Sequence, residues 1–368
     1  MRILVTAGEP SGDLHGARIV TALRQAFPAA EIEAVGGPRM AAAGARLRHS
    51  IDGLSAIGLI EILTKIPAHW QLERELVADF RRHRYDLVIP IDYPGFHLRI
   101  ARAAKQCGVP VLWYIAPQLW GWWPTRAVRF ARAVDRLAVI LPFEASFFER
   151  AGIATTFVGH PLLDSEPSPL RGDARQQLAL APDARTLAVF PGSRRREIEA
   201  LWPIMRDAAR QLMQSGACAE VVVAGTGREE YPGAEGFRIV RDDSGVVLSA
   251  ADAVIAKSGT TTLQAALADV PMVVAYAIHS FSFALMRRLL TTPWVALPNL
   301  IAERDIVPEL LQRNLTSDAL VAAMRPLLDP ASDEVRRQRD GLAEVRRRLG
   351  GPGASARVAQ LAGELLAA

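Results

Sequence analysis

The sequence predicts an α/β protein with two doubly wound domains that face each other across a cleft. Short apolar runs alternate with amphipathic helical patterns from end to end of the 368 residues, which is enough for two domains of ordinary size. Most runs are continuous and β-branched, which is typical of parallel strands covered on both faces. The polar, proline-rich segment Asp164–Asp173 separates two series of runs and is predicted to be a linker.

Each apolar run is predicted to form one strand. Before the linker the predicted strands are Ile3–Ala7, Ile32–Val35, Leu87–Ile91, Val109–Tyr114, Leu137–Ile140 and Thr156–Val158. After the linker they are Leu187–Phe190, Glu220–Ala224, Phe237–Val240, Ala253–Ala256, Met272–Tyr276 and Trp294–Leu297. Because parallel sheets bind ligands outside the carboxyl ends of their strands, the loops after these runs are the candidate sites.

Composition excludes several classes of protein. The net charge of +4 favours an anionic surface or substrate and does not require a nucleic-acid partner. The two cysteines, Cys107 and Cys218, are too few for a disulfide framework or a cysteine-based zinc site. The chain begins with a strand rather than a signal peptide, and no apolar run reaches the ~18 residues of a membrane span. We therefore expect a cytoplasmic location.

A stretch of small polar residues, Ser258-Gly259-Thr260-Thr261, follows a predicted strand and begins a helical pattern that contains Gln264. Small residues at such a turn let backbone N–H groups approach an anion, and the helix N-terminus adds partial positive charge. The stretch predicts a phosphate site, although it is not a Walker loop. The alternative is an ordinary Ser/Thr cap on a surface helix.

A second turn of this kind follows the predicted strand Leu187–Phe190. Ser193 is predicted to cap the next helix, and Glu197 lies in its first turn, where a carboxylate is favoured. Arg194 is placed to meet a diphosphate across from Ser258. Two anion-binding turns in the same half of the chain favour the phosphate interpretation over capping alone.

The loop after the first strand carries two carboxylates, Glu9 and Asp13, beside Ser11. The loop lacks the dinucleotide-binding pattern G-x-G-x-x-G. Because carboxylates repel phosphate, Glu9 and Asp13 suit sugar hydroxyls or a neighbouring arginine. An equally weighted alternative is that Ser11 or Asp13 only caps the predicted helix Leu14–Phe27.

A carboxylate, Asp92, ends the predicted strand Leu87–Ile91, a position that suits a general base. His97, five residues later, is the second candidate. The alternatives are that Asp92 caps the turn before Pro94 and that His97 is an exposed or core imidazole.

Four of the seven tryptophans lie between Trp113 and Trp123. Such a cluster after a strand suits stacking on a sugar or contact with a lipid interface. A helix predicted from Pro124 would place four arginines on one face, namely Arg126, Arg129, Arg132 and Arg136. Beside the aromatic cluster this face suits anionic lipid head groups, although a simple solvated face is the alternative.

The segment Ile57–Trp70 is more apolar than one buried helix face requires. Leu59, Ile62, Leu63 and Ile66 form one face, and Ile60 and Trp70 lie outside it. A surface element that touches lipid and a buried helix broken at Pro67 are both consistent with this pattern. The residues predicted to meet the membrane are Leu59, Ile60, Leu63, Ile66, Trp70, Trp122, Trp123, Arg126 and Arg129.

Nine stretches, taken together and in order, resemble the lipid-A-disaccharide synthase family of inverting glycosyltransferases over nearly the whole chain. The stretches are Gly8–Asp13, Asp92–Phe96, Tyr114–Trp122, Leu141–Glu144, Phe157–Pro161, Pro191–Arg194, Ser258–Thr260, Pro271–Tyr276 and Leu297–Leu300.

The resemblance implies a GT-B fold of two Rossmann-like domains, residues 1–165 and 174–345, with a C-terminal helix within 346–368 that returns to the first domain. It implies transfer from UDP-2,3-diacylglucosamine to 2,3-diacylglucosamine-1-phosphate (lipid X), with Asp92 as base. It also implies peripheral attachment to the cytoplasmic face of the inner membrane, and it allows a homodimer. No cofactor or metal is expected, since the sequence has no D-x-D triplet and helix dipoles with arginine can neutralise the leaving UDP.

The resemblance also assigns the remaining site residues. The donor would bind Ser193, Arg194, Glu197, Ser258, Gly259, Thr260, Thr261 and Gln264, and the acceptor would bind Glu9, Ser11, Asp13, His97, Trp120, His160 and Asn299. Three positions depart from the family pattern: Gln264 replaces a usual Glu, Ala277 an Arg, and His97 a common Asn. Two alternatives stay open, namely another GT-B enzyme that uses UDP-sugars and a weakened lipid-binding scaffold.

Overall fold

The computed structural model describes residues 1–51, 59–227, 229–277 and 292–367, without the side chains of residues 59–66 and 122. The chain divides into two compact units. The first unit combines Met1–Ser165 with Leu349–Ala368, and the second is Glu166–Arg348.

The first unit is built on a parallel sheet. Its strands are β1 Arg2–Thr6, β2 Glu31–Gly36, β3 Arg46–Ser50, β4 Leu87–Pro90, β5 Leu112–Tyr114, β6 Arg136–Val139 and β7 Thr155–Phe157. They pair in the orders β3-β2-β1-β4 and β5-β6-β7. Parallel bridges between Val88 and Val111 and between Ile91 and Tyr114 join β4 to β5, so the two groups continue one another.

Helices cover both faces of this sheet. The described helices of the unit are α1 Pro10–Ala26, α2 Pro38–Ala42, α3 Leu59–Arg81, α4 Pro94–Gln106, α5 Leu119–Trp122, α6 Ala127–Ala131, α7 Pro142–Arg150 and the C-terminal helix Ala354–Ala367. Alternate residues of β1 enter different cores: Leu4 packs with α3 and α4, whereas Ile3 and Val5 pack with α1 and the C-terminal helix. Burial on both faces explains the continuous apolar runs of the sequence.

The second unit repeats the plan with six parallel strands. They are β8 Thr186–Phe190, β9 Glu220–Gly225, β10 Arg238–Arg241, β11 Ala253–Lys257, β12 Met272–Tyr276 and β13 Glu309–Leu311, in the order β10-β9-β8-β11-β12-β13. Its described helices are α8 Arg171–Gln177, α9 Arg195–Gln214, α10 Ser244–Ala250, α11 Thr260–Leu267, α12 Leu297–Ala302, α13 Ser317–Met324 and α14 Asp333–Arg348. The C-terminal helix of the first unit is therefore α15. The described 3-10 helices of the chain are Pro124–Arg126, Pro161–Asp164, Gln312–Asn314 and Arg325–Leu328.

The strand predicted over Trp294–Leu297 is wrong. The amides of Val295 and Ala296 donate to the side-chain carboxylate of Glu309, at 3.0 Å each, instead of to backbone carbonyls of a strand. The helix α12 then begins at Leu297, with Pro298 in its first turn, where a missing N–H costs nothing. The sequence interpretation also lacked β3 and β13, which are short edge strands with intermediate or exposed residues.

The strand orders place a topological switch point in each unit. In the first unit the chain reverses direction across the sheet between β1 and β4, and in the second between β8 and β11. Doubly wound sheets bind ligands in the crevice outside the carboxyl ends of the two strands at such a point. The segment Gly8–Asp13 follows β1, Asp92 follows β4, and the two turns predicted to bind phosphate follow β8 and β11.

Candidate active site

The two turns predicted to bind phosphate lie side by side in the second unit. Strands β8 and β11 pair directly, with Phe190 opposite Ala256. Glu197, in the first turn of α9, connects the turns: its Oε1 lies 3.0 Å from Nζ of Lys257, and its Oε2 accepts from the amide of Ser193 at 3.2 Å. Burial alone would raise the pKa of Glu197, but Lys257 and the backbone amides outweigh it and lower that pKa. Glu197 is therefore ionised and connects the two turns through an ion pair and a hydrogen bond. It is not a group that contacts an anionic donor.

The turn after β11 presents backbone donors. Gly259, with a φ of 148°, precedes α11, and the amides of Gly259, Thr260 and Thr261 have no acceptor within the part of the chain that the structure describes. Ser258 has a different role from the one predicted. Its amide donates to Ala275 O at 3.1 Å and its hydroxyl to Val295 O at 2.7 Å, so neither group is available to a phosphate.

The turn after β8 presents a cation. The helix α9 begins at Arg195 with Arg194 as its N-cap residue, so the predicted capping by Ser193 is wrong. Glu197 accepts from the Ser193 and Arg194 amides instead and satisfies the helix N-terminus from within. The Arg194 side chain is exposed and makes no ion pair with any described residue, which leaves its guanidinium available to a diphosphate. Gln264, half-buried, lies one turn into α11.

Asp92 lies directly after β4, at the switch point of the first unit. Its amide donates to Tyr114 O at 2.9 Å, and both Asp92 and Tyr93 adopt left-handed backbone conformations, with φ of 46° and 50°. Burial raises the pKa of Asp92 to about 6; the Tyr93 amide opposes that shift, and the negative charge of Glu9 adds to it. A carboxylate with this pKa is ionised at neutral pH and basic enough to accept a proton from a hydroxyl.

Of the residues predicted between Gly8 and Asp13, Glu9 lies close enough to Asp92 to affect its pKa. Glu9 acts on the pKa of Asp92, and its Oε1 accepts from the hydroxyl of Ser11 at 2.5 Å. Asp13 has a structural role instead. Its buried carboxylate accepts from the amides of Gly37, Arg39 and Met40, at 2.7–3.1 Å, and so caps α2. Because Asp13 is only 3% exposed and both of its oxygens already accept from backbone amides, the predicted contact with sugar hydroxyls is wrong for Asp13.

Neither Ser11 nor Asp13 caps α1, contrary to the alternative interpretation. The helix begins at Pro10, four residues before the predicted start, so both residues lie inside its first turn. Proline is well suited to this position because its missing N–H would have no intrahelical partner.

The resemblance predicts two further residues that bind the acceptor substrate. Both are buried, and both make hydrogen bonds to the chain itself. The amide of Asn299 donates to Val307 O and to Glu309 Oε1, at 2.9 Å each, and its oxygen accepts from the amides of Ile306 and Val307. This set uses the full capacity of the side chain, so the predicted contact of Asn299 with the acceptor is wrong. Nδ1 of His160, also buried, accepts from the amide of Leu162 at 3.2 Å and caps the 3-10 helix Pro161–Asp164.

The indole ring of Trp120 is held in place by contacts with neighbouring residues. Its whole surface is therefore not available to stack on a sugar. Its indole Nε1 donates to Oε1 of Glu144 at 3.0 Å, and its ring meets that of Phe143 edge to face. Oε2 of Glu144 accepts from the amide of Leu141 at 3.0 Å. Burial raises the pKa of Glu144 to about 7, the hydrogen bonds oppose this shift, and the charge of Asp92 adds to it.

The sequence interpretation gave no role to Glu144, Lys257 or Tyr93. Glu144 appeared only within a stretch that resembles the family. The signal that would have indicated it is its position: a carboxylate at the third residue of a helix that directly follows a strand. Lys257 is one of only three lysines and ends the strand before the phosphate turn. The left-handed conformation of Tyr93 carries no sequence signal, because bulky residues rarely adopt it.

The predicted membrane surface is partly described. Trp70 and Trp123 are 59% and 44% exposed, and the guanidinium of Arg126 lies 4.0 Å from the ring centroid of Trp123. Arg129 is exposed on α6. The side chains of Leu59, Ile60, Leu63, Ile66 and Trp122 lie outside the described residues, although α3 itself runs without interruption through Pro67.

The predicted arginine helix is wrong beyond α6. The segment forms a 3-10 turn, Pro124–Arg126, and the short helix α6, which ends at Ala131. Arg136 instead begins β6 and pairs with Leu112. Strand pairing at the sheet therefore overrides the helical spacing of the arginines, and only Arg126, Arg129 and Arg132 lie before the strand.

Among the described residues, no group of three or more His, Cys, Asp or Glu side chains is arranged to hold a metal ion, and no helix is long and apolar enough to cross a membrane.

Solved structures resemble this fold over their full length. A UDP-GlcNAc 2-epimerase from Neisseria meningitidis bound to UDP-GlcNAc superposes with a TM-score of 0.64 at 11% identity, covering 100% of each chain. A glycosyltransferase from Rickettsia africae superposes with a TM-score of 0.58 at 8% identity, covering 99% of this chain and 98% of the other. These likenesses confirm the predicted GT-B architecture of Rossmann-like units.

Sequence comparison is more specific. Residues 3–362 match the profile of the family described as lipid-A-disaccharide synthetase. The lipid-A-disaccharide synthase of Geobacter metallireducens is 37% identical, and that of Myxococcus xanthus is 39% identical, each match covering 99% of this chain and 97% of the relative. The chain therefore belongs to the lipid-A-disaccharide synthase family of glycosyltransferases.

Proposed function

We propose that the chain transfers 2,3-diacylglucosamine from UDP to the 6-hydroxyl of lipid X, giving a β-1,6-linked disaccharide phosphate and UDP. Membership of the family supports the substrates. The observation that carries the mechanism is the carboxylate of Asp92, held in a left-handed turn at the switch point of the first unit with its pKa raised to about 6.

Asp92 is the general base of this reaction. It takes the proton of the 6-hydroxyl as the oxygen attacks the anomeric carbon from the face opposite UDP. The new C–O bond forms while the bond to the diphosphate breaks, so the configuration inverts. The proton ends on Asp92 and the electron pair of the broken bond on UDP. Base catalysis of this kind contributes roughly 10²–10⁴-fold to a rate.

The second unit would stabilise the departing UDP. The free amides of Gly259, Thr260 and Thr261 at the start of α11 provide hydrogen-bond donors and the positive end of a helix dipole. Arg194 adds a full positive charge from the neighbouring turn, and Gln264 is placed to bind the ribose hydroxyls. Charge that develops on the diphosphate as the bond breaks makes these contacts stronger in the transition state than in the ground state.

We expect the rate of transfer to rise with pH through a midpoint near 6. Only the ionised form of Asp92 accepts a proton, and its pKa is raised to about 6 by burial and by Glu9. Below pH 5 the rate should fall about tenfold for each pH unit. The pH dependence of kcat/KM between pH 4.5 and 8, which reports the pKa of the free enzyme, provides the test, and a value that is independent of pH over this range would contradict the assignment.

The exposed aromatic and arginine residues of the first unit support peripheral attachment to an anionic bilayer. The stacked pair Trp123 and Arg126, with Arg129, combines an amphipathic ring with cationic side chains that attract phosphate head groups. The resemblance further predicts the cytoplasmic face of the inner membrane, and a homodimer stays a prediction of the resemblance.

Reversal of charge at Arg126 and Arg129 should weaken vesicle binding. Each basic residue near an anionic surface contributes about 1 kcal/mol, so we expect at least a tenfold loss for the double variant Arg126→Glu, Arg129→Glu. Sedimentation with vesicles of phosphatidylglycerol and phosphatidylethanolamine measures the affinity of each protein for the bilayer. The double variant Arg150→Glu, Arg313→Glu, which reverses two charges at exposed residues that make no ion pair with any described residue, is the matched control. Equal loss in both proteins would show a general charge effect and no defined surface.

Release of UDP tests the proposed function directly. Protein in detergent is incubated with UDP-2,3-diacylglucosamine, with and without lipid X, and UDP is measured in a coupled assay. We expect release only when lipid X is present, and none from UDP-GlcNAc. Release that does not depend on lipid X would indicate another UDP-sugar enzyme, and no release with intact UDP binding would indicate a different acceptor. Loss of both UDP release and UDP binding would leave the alternative of a weakened lipid-binding scaffold.

A further inference from the structure

The backbone of Asp92 is held by a buried histidine that takes no part in the proposed chemistry. His97 lies in the first turns of α4, fully buried, and its Nδ1 is 2.7 Å from the carbonyl oxygen of Asp92. A carbonyl only accepts hydrogen bonds, so Nδ1 carries the proton and donates. Burial lowers the pKa of His97 to about 4, although the carbonyls of Asp92 and Ile91 oppose the shift, and the ring is neutral at physiological pH.

The hydrogen bond acts on a strained part of the chain. Asp92 and Tyr93 are consecutive non-glycine residues in the left-handed region, where an L-residue costs on the order of 1 kcal/mol. Such a turn persists only when its surroundings fix it. The amide of Asp92 is held by Tyr114 O, and the ring of Tyr93 lies so close to Gly8 that a Cβ there would be 2.2 Å from Tyr93 Cδ1. His97 holds the carbonyl side of the turn: its ring bonds the Asp92 carbonyl, and its amide donates to Tyr93 O at 3.3 Å.

We propose that His97 is a positioning residue for transfer, whose Nδ1–H holds the Asp92 carbonyl and so keeps the carboxylate oriented toward the acceptor hydroxyl. The inference rests on the proposed function, because it gives His97 a kinetic effect only through Asp92. The sequence interpretation considered His97 as a second base or an acceptor contact. Its complete burial and its use of Nδ1 favour the positioning role over both.

The expected effect is on kcat. Displacement of a catalytic group by about 1 Å can cost 10²-fold in rate. His97 belongs to the first unit and the turns predicted to bind the donor belong to the second, so binding of UDP should be unchanged. A loss in kcat with KM for the donor unchanged therefore separates a positioning effect from general damage.

Three substitutions distinguish the hydrogen bond from the volume of the side chain. In His97→Asn the amide nitrogen reaches the position of Nδ1 and still donates. In His97→Gln the amide nitrogen instead reaches the position of Nε2, an atom that has no hydrogen-bond partner among the described residues. His97→Leu removes the donor while it keeps an apolar side chain. We expect His97→Asn to retain at least a third of native kcat, and the other two to lose 10-fold to 100-fold.

The native protein provides a measurement that does not depend on folding of a variant. Long-range ¹H–¹⁵N spectra of histidine, with the His97 signals assigned by their loss in His97→Asn, should show a neutral ring protonated at Nδ1 from pH 5.5 to 8. A neutral ring protonated at Nε2 instead of Nδ1 would overturn the inference, because Nδ1 could then not donate to the Asp92 carbonyl. Native kcat in folded His97→Leu and His97→Gln would overturn it as well.

The two claims fail separately. If Asp92→Ala transfers sugar at the native rate, the proposed base is wrong, whatever the His97 spectra show. If Asp92→Ala is inactive but the donor-lacking His97 variants keep native kcat, only the positioning role is wrong.

Discussion

Asp92→Ala should lower kcat for transfer by more than 100-fold and leave the affinity for UDP unchanged. The loss follows from removal of the group that accepts the acceptor proton, and a positioned base contributes roughly 10²–10⁴-fold. UDP affinity should persist because the amides of Gly259–Thr261 and the side chain of Arg194 belong to the second unit. Single-turnover rates with both lipid substrates, beside calorimetric titration with UDP, measure the two effects. Retention of more than a tenth of the native kcat would contradict the assignment.

Asp92→Asn provides a matched control for folding. The raised pKa means that the native state disfavours the charged carboxylate, so ionisation between pH 3.8 and about 6 costs stability. The neutral amide avoids this cost, and we expect the variant to be more stable than the native chain at pH 7.5 by up to roughly 3 kcal/mol. Urea denaturation measures the difference. A stable but inactive Asp92→Asn would assign the loss to chemistry rather than to unfolding.

Arg194→Ala should lower kcat/KM for the donor by about 100-fold, the second largest effect expected. The exposed guanidinium lies on the turn after β8, the strand that pairs with β11, and makes no ion pair with any described residue. A preorganised donor to a leaving group contributes roughly 10²–10³-fold in kcat. Most of the loss should appear in kcat, since the charge on the diphosphate grows as its bond breaks.

Arg196→Ala is the control for this prediction. Arg196 is exposed, lies two residues further along α9, and makes no ion pair with any described residue. Its removal changes the net charge equally and should leave kcat/KM within twofold. Arg194→Lys should recover part of the loss, because lysine keeps the charge but not the bidentate geometry. Similar losses in Arg194→Ala and Arg196→Ala would indicate a general electrostatic effect in place of a specific contact.

The sheet could be predicted closely from the sequence because its strands are buried on both faces. Runs such as Leu187–Phe190 and Met272–Tyr276 are continuous and apolar, and the observed strands match them within one residue. Edge strands escaped prediction because partial exposure removes that signal: β3 contains Arg46, Arg48 and His49. The arginine spacing after Pro124 predicted a helix that strand pairing at Arg136 prevents.

The position of the candidate sites could be predicted, but the roles of individual side chains could be predicted only in part. Strand ends identified the positions of Asp92 and of the two turns predicted to bind phosphate, because the topology of the sheets alone determines those positions. Asp13 and Asn299 are residue types that often bind ligands. Only the fold shows that their oxygens accept hydrogen bonds from the backbone amides of Gly37 and Ile306 instead. The interaction between Glu197 and Lys257 joins residues 60 positions apart, which no local pattern reveals.

The product of transfer tests the central claim most directly. Purified protein in detergent is supplied with UDP-2,3-diacylglucosamine and lipid X, and the lipid product is analysed by mass spectrometry and by the coupling of its new anomeric proton. We predict a disaccharide monophosphate with four acyl chains and a β-linkage to the 6-position, at a yield that equals the UDP released. An α-linkage would contradict inversion by Asp92, and the absence of a disaccharide while UDP is bound would contradict the proposed acceptor.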